Sequence, residues 1–434
     1  MTATKIAATA APSAIEAAVM RRVTWRILPF LMLCYFVSFL DKVNAGFAAL
    51  QMNRDLHLTH AVFGLGGGLF FVSYFLFEVP SNLALARVGA RRWIARIMIT
   101  WGIIAGSMAL VRDANSFYLA RGLLGAAEAG FFPGVVLYLT FWFPAAYRAR
   151  IIGFFMVAIP VSACVGSPLS AALLGVDGWL GLAGWQWLYI IEGVPAVVLG
   201  LVCLVALTDR PVEARWLAPE QRHWLAARLA TEAEQRRPVP PRPLWRVLTN
   251  GRVLGLAVVL AGSTAVSSGL QLWTPLILKS FGLGTMATGL ANAVPFGIAA
   301  LAMVLWGRDS DRRRERVWHA ALPLVLAAFS LAAALVFHGL VATMVILSLA
   351  LVGIYAGKGP VWAISTEWLA AGAAAAGLAQ INALSNLAGF GTIYGIGLIR
   401  DATGHYSWAL LPLAALALLA AAMMWRLGRT APAR

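Results

Sequence analysis

The chain has 434 residues, of which 61% are hydrophobic and only 12% charged, a balance outside that of soluble globular domains. A formal charge of +16 would suit a nucleic-acid binder, but the basic residues sit between long apolar runs rather than on one patch, which excludes that class. Cys34, Cys164 and Cys203 all fall inside apolar runs, so no extracellular disulfide framework is implied.

Twelve apolar runs of about 20 residues each are expected to cross a bilayer. They lie near 25–50, 61–86, 92–111, 117–143, 149–175, 186–208, 252–279, 286–307, 317–338, 340–366, 376–399 and 407–427. The predicted fold is all-α: a polytopic membrane protein with twelve transmembrane helices in two six-helix bundles. Residues 1–24 read as a disordered cytoplasmic tail without a signal peptide, 25–208 as the first bundle, 209–251 as a cytoplasmic linker, 252–428 as the second bundle and 429–434 as a short tail. Placing the N-terminus inside puts Arg21, Arg22, Arg87, Arg91, Arg92, Arg148, Arg150, Arg308, Arg312, Arg313, Arg314, Arg316, Arg426 and Arg429 on the cytoplasmic face. Only Arg54, Arg112, Lys279 and Arg400 fall on the other, so both termini are expected in the cytoplasm.

The first run carries Asp41 and Lys42 side by side. Neighbours on a helix project about 100° apart, so at least one is expected to face a polar cavity. The alternative is that both reach to the outer interface. The second run holds a glycine-rich stretch, Gly64-Leu-Gly66-Gly67-Gly68, suited to close helix approach, then Tyr74, Glu78 and Pro80. Glu78 is expected to face the same cavity as Tyr74 or to pair with a basic residue of the next loop, with a structural role preferred.

Arg121 and Glu128 lie seven apart in the fourth run, on one helix face and roughly 10 Å apart along the axis. A charge at membrane depth costs about 2.5–3.5 kcal/mol on insertion scales, so two on one face point to a site. A permanent structural ion pair is the alternative. Basic loops at Arg87-Val-Gly89-Ala-Arg91-Arg92 and at Gly307-Arg308-Asp309-Ser-Asp311-Arg312 occupy matching places after the second and eighth runs, the internal sign of duplication.

The linker is expected to contain a surface helix from Leu217 to Arg236, a stiff stretch over Arg237 to Pro243 and an amphipathic lead-in from Leu244 to Val253. In the seventh run Ser267, Ser268 and Gln271 precede Pro275, a pattern expected of a helix broken where it lines a cavity. The tenth places Lys358 and Trp362 one turn apart, and the eleventh offers Gln380, Asn382, Ser385 and Asn386. Gln271, Asn382 and Asn386 fit a ligand site and interhelical hydrogen bonding equally.

Lys42, Arg121 and Lys358 are the basic residues well inside the runs; the acids there are Asp41, Glu78 and Glu128, with Glu192 nearer an end. Three cations against two candidate acids leave room for an anionic guest. An anion arriving at Arg121 would change how tightly Glu128 holds a proton, a coupling device in outline. Lys358 beside glycines could instead snorkel away from the interior.

At these residues the chain resembles the anion:cation symporter family of the major facilitator superfamily, which includes sugar-acid, tartrate and aromatic-acid permeases, sialin and vesicular glutamate transporters. The likeness covers residues 20–430. It rests on Asp41-Lys-Val-Asn44, on Leu119-Ala-Arg121-Gly-Leu-Leu-Gly-Ala-Ala-Glu128-Ala-Gly-Phe-Phe-Pro133-Gly, on Tyr-Arg148-Ala-Arg150, on Gly307-Arg-Asp-Ser-Asp311-Arg and on the Arg400-Asp-Ala-Thr-Gly404 turn. The resemblance implies that Arg121 binds a substrate carboxylate, that Asp41 and Glu128 are proton sites and that Tyr74, Trp362 and Asn382 line the pocket. The chain departs from the family in having Lys42 for the Arg and Phe39 for the Tyr usual in sugar-acid members, and in lacking the Asp usual in the first basic loop. Lys358, a further cation, suggests a second carboxylate on the substrate.

The expectation is a proton-coupled symporter that imports a small organic anion, a dicarboxylate or aromatic carboxylate, by alternating access. Lys42, Tyr74, Arg121, Gln271, Lys358, Trp362 and Asn382 would bind substrate, and Asp41 and Glu128 would carry protons. A sugar monocarboxylate is the alternative, with drug or cation efflux and a non-transporting sensor behind it; efflux would predict an excess of buried acids. No cofactor beyond the coupling proton, no metal site, no nucleic acid and no enzymatic activity is expected, since the histidines are scattered without ligand spacing. A monomer in the cytoplasmic (inner) membrane completes the expectation.

Overall fold

The computed structural model describes residues 14–235, 249–368 and 374–429, and among these every regular element is helical. The first half comprises α1 (Ala14–Asp55), α2 (His60–Val88), α3 (Ala90–Ser107), α4 (Ala114–Glu128), α5 (Phe131–Thr140), α6 (Ala145–Met156), α7 (Ala158–Leu174) and α8 (Gly184–Ala206). After the linker helix α9 (Pro219–Gln235) come α10 (Gly251–Lys279), α11 (Thr285–Arg313), α12 (Val317–Ala333), α13 (Leu340–Trp368), α14 (Ala374–Thr403) and α15 (Tyr406–Arg429). Among the described residues ten segments are long and apolar enough to cross a membrane, α4 with α5 and α6 with α7 each forming one of them. The 17 residues of α12 and the 30 of α14 take the ninth and eleventh places.

Two expectations need correction. Residues 14–24, assigned to a disordered tail, are the first turns of α1, because Val19, Met20 and Val23 recur at helical spacing and are buried. The expected break at Pro275 is absent: α10 runs through it, its neighbouring residues from Gly269 to Leu278 all buried by surrounding helices. The break falls instead in the fourth span, directly after Glu128, where Gly130 adopts φ +85°, a left-handed conformation that a residue with a Cβ resists. The stiff stretch Arg237–Pro243 and most of the lead-in to α10 lie outside the described residues.

The halves meet along three helix pairs: α2 with α14, α7 with α11, and α1 with α10. At the end of the bundle away from the linker these seams close at backbone distance. A Cβ built on Gly64 would lie 2.8 Å from the carbonyl oxygen of Ile393, and one on Gly289 would lie 2.8 Å from that of Ser167. Gly397 abuts the His60 backbone in the same way. There Asp401 of α14 accepts from the backbone N–H groups of His60 (3.2 Å) and Ala61 (2.7 Å), capping the first turn of α2 from the other half of the molecule. The glycine-rich stretch thus fulfils its expected role of close approach.

Candidate functional site

A cavity of about 140 Å³ lies between the halves. From the first half α1 contributes Tyr35, Ser38, Phe39 and Lys42, α2 contributes Phe70, Phe71 and Tyr74, and the α4–α5 break contributes Glu128, Phe131 and Phe132. From the second, α10 presents Ser263, Thr264, Ser267, Ser268 and Gln271, α13 presents Tyr355, Lys358 and Trp362, and α14 presents Asn382 and Asn386. The cavity therefore has an aromatic wall and, opposite it, a wall of hydroxyls and amides.

Lys42 and Glu128 form an ion pair, with the Lys42 side chain 19% exposed and that of Glu128 2%. Ser38, one turn before Lys42, donates its hydroxyl to the same Glu128 oxygen at 2.7 Å, while Glu128 Oε2 is buried with no hydrogen-bond partner among the described residues. Across the cavity the Lys358 ammonium lies 3.4 Å from Ser267 Oγ and 4.8 Å from the centre of the Tyr355 ring. No carboxylate pairs with it among the described residues. An ammonium with only a hydroxyl and a π-face for company, at a cavity wall, is a place for an anion.

Lys42, Tyr74, Glu128, Gln271, Lys358, Trp362 and Asn382 all line this cavity, with Trp362 packed 5.9 Å from Phe132 across the halves. Arg121 and Asp41 are not. Arg121 is 4% exposed, its guanidinium 5.1 Å from the Phe70 ring, and that ring faces the cavity in its place. It makes no ion pair with Glu128; the Lys42 side chain of α1 takes that carboxylate instead. Asp41 lies behind the wall as well, accepting from Trp101 Nε1 and Asn44 Nδ2, both at 3.0 Å.

Among the described residues Glu78 pairs with no basic loop residue: Asn382 and Asn386 of α14 donate to its two carboxylate oxygens, the latter at 3.3 Å, across the seam between the halves. Glu192, placed near a run's end from the sequence, is 3% exposed and accepts from Ser170 at 2.8 Å. Buried carboxylates at Asp41, Glu78, Glu128 and Glu192 thus outnumber Lys42, Arg121 and Lys358, which reverses the charge balance expected of the interior. The balance that matters is local. Glu78 is held by amides and two of the acids lie behind the wall, so the cavity itself presents a paired Lys42–Glu128 and an uncompensated Lys358. The sequence reading missed the hydroxyl wall as a unit, although positions 263, 264, 267, 268 and 271 carry the helical spacing that announces it.

The Asp missing from the first basic loop has a substitute. Asp209, just beyond α8, accepts from the backbone N–H of Arg91 at 2.8 Å and lies 4.0 Å from its guanidinium, so a residue distant in sequence caps α3. In the second copy of the loop the acids are local: Asp309 and Glu315 bracket the His319 ring at 3.0 and 2.7 Å.

A protein of Agrobacterium vitis described as a "Putative tartrate transporter" is 49% identical over 96% of this chain and 93% of its own length. A "Quinolone resistance transporter" of Acinetobacter baumannii is 39% identical over 90% of this chain and 90% of its own. Among solved structures, a bacterial homologue of the human lysosomal transporter Spinster, inward-facing and unoccupied, superposes with a TM-score of 0.74 at 17% identity, covering 98% of this chain and 100% of that one. These relatives are transporters, and this chain is a transporter rather than an enzyme. The model of the Major Facilitator Superfamily matches residues 31–393, and with the two-halved helical fold and the cavity between the halves it follows that the chain belongs to that superfamily.

Proposed function

We propose that the chain is a proton-coupled symporter of the inner membrane, both termini cytoplasmic, that imports a small dicarboxylate by alternating access. The observation that carries this reading is Lys358, a cavity cation without a carboxylate partner among the described residues, facing a second cation, Lys42, whose partner is itself an acid. When Glu128 is ionised it occupies Lys42, and only Lys358 is available to an anion. Protonating Glu128 releases Lys42, and two ammonium groups, one from each half, then meet the two carboxylates of one guest. Proton and dianion are thereby bound together, and the halves are drawn onto a common ligand. Ser263, Thr264, Ser267, Ser268 and Gln271 give hydroxyl and amide partners to a hydroxylated carbon chain, in keeping with the relative named for tartrate.

Asp41 and Arg121 serve this scheme from behind the wall. Arg121 lies within electrostatic range of both Asp41 and Glu128, so its field stabilises whichever carboxylate is ionised. A second reading, an aromatic monocarboxylate, is favoured by the aromatic wall and by the relative named for quinolone resistance.

The test is uptake into proteoliposomes. With the outside more acid than the lumen, labelled tartrate is expected to accumulate above its equilibrium level, and adding it without a gradient should make the outside more alkaline. Uptake indifferent to the pH difference sinks proton coupling. Uptake of aromatic acids but of no dicarboxylate selects the second reading.

A further inference from the structure

Glu192 has no role in the scheme above, and its surroundings are unusual for a carboxylate. It projects from α8 into the interior of the first half, where α8 and α3 approach so closely that a Cβ on Gly102 or on Gly193 would lie 2.8 Å from the other's carbonyl oxygen. Its Oε1 accepts from Ser170 of α7. Its Oε2 is buried and without a hydrogen-bond partner among the described residues. The charged or titratable groups facing it among the described residues are Asp41 from α1 and Tyr189 one turn back on α8, with Arg121 of α4 beyond them; α7 supplies the Ser170 hydroxyl, and the Trp101 indole of α3 is taken by Asp41. Its nearest charged neighbour is thus another carboxylate.

Asn44 lies against both acids, the N–H side of its amide turned toward the Glu192 carboxylate as well as toward Asp41. Its Nδ2 donates to Asp41 Oδ1 at 3.0 Å, and its own Oδ1 is buried and unpartnered among the described residues. Two orphan acceptors, on Glu192 and Asn44, therefore sit on side chains already in contact. An ionised Glu192 would be an unpaired buried anion beside Asp41, a costly arrangement, and both orphan acceptors would stay unsatisfied. One proton on Glu192 Oε2 turns them into a donor and an acceptor. It also balances the cluster, in which Lys42 and Arg121 already match Asp41 and Glu128.

We propose that Glu192 is a neutral carboxylic acid that donates to Asn44 Oδ1 and so orients the Asn44 amide toward an ionised Asp41. It is a positioning residue, and its proton stays in place while the cavity empties and fills. The protonation rests on the burial of Glu192 and its orphan oxygen; its consequence for transport, through Asp41, rests on the proton-coupled reading.

Infrared spectra of the purified protein in lipid at neutral pH test the protonation without any substrate. The carbonyl stretch of a buried neutral carboxylic acid is expected in the wild type and its intensity should fall in Glu192→Gln; identical spectra in that region overturn the proposal. In proteoliposomes Glu192→Gln, whose amide donates in place of the acid, should transport within about twofold of wild type with the same pH profile. Glu192→Leu, without a donor, should lose about tenfold. A displaced pH profile in Glu192→Gln means that the group titrates during transport, which also overturns it. Loss of pH-driven uptake in the wild type, with the infrared difference intact, removes the transport consequence and leaves the protonation standing.

Discussion

The two walls of the cavity solve the problem of burying charge in opposite ways. The wall from the first half satisfies itself: Lys42 is held by Glu128, Ser38 supports the pair, and Arg121, Asp41 and Glu192 lie behind it. The wall from the second half leaves Lys358 with a hydroxyl and the face of a ring, amid serines and threonine that could each serve a ligand. Breaking a buried pair by removing one member costs about 3–5 kcal/mol, whereas a single ammonium awaiting an anion recovers its desolvation cost only when the guest is present. The first arrangement suits a group that exchanges protons, and the second suits a group that waits for substrate.

The sharpest way to break that division is Glu128→Gln. The amide keeps the size of the side chain and its contact with Ser38 but cannot be ionised, so Lys42 is permanently free. Accumulation driven by a pH gradient should fall to the level reached without one, while exchange of labelled for unlabelled substrate across the membrane continues. Loss of exchange as well, in a protein that still folds, would mean that Glu128 belongs to the binding wall and that the two walls are not divided in this way. Next in size is Lys358→Ala. A hydrogen bond to a charged group is worth about 1.5–3 kcal/mol, so the KM for a dicarboxylate should rise about 10- to 150-fold, with that for a monocarboxylate changing far less. Equal losses for both would deny Lys358 a carboxylate of its own.

The sequence reading succeeded where one chain segment carries the information and failed where geometry between segments decides. Apolar runs and basic loops disclosed the spans, since membrane insertion depends on local composition. Lys358 and Glu128 stood out for the same reason, as charges inside such runs. What it could not disclose is which partner each charge would take. Arg121 and Glu128 share a helix face, yet Lys42 from another helix occupies Glu128, and the Phe70 ring stands between Arg121 and the cavity. Glu78 pairs with amides some 300 positions away in the chain, at Asn382 and Asn386, and Asp209 replaces an acid missing from the loop it caps. The break after Glu128 was likewise hidden, because Gly130 reads as one more small residue in a helix until its φ is known.

The smallest effect tests the hydroxyl wall. Ser267 Oγ accepts from Lys358 at 3.4 Å, near the limit of a hydrogen bond, and its hydroxyl also donates to the Thr264 carbonyl at 3.2 Å, a bond within its own helix. Neither contact fixes the lysine strongly, so Ser267→Ala should leave the fold and the affinity for a plain dicarboxylate close to wild type. A substrate hydroxyl that bonds to Ser267 would lose one neutral hydrogen bond, about 0.5–1.5 kcal/mol, and the KM for the hydroxylated acid should rise about two- to tenfold. The comparison is therefore between tartrate and succinate on the same variant. A selective loss for tartrate assigns this wall to recognition of the carbon chain. A loss shared by both would mean that Ser267 acts by holding Lys358, and the second half would then be as internally organised as the first.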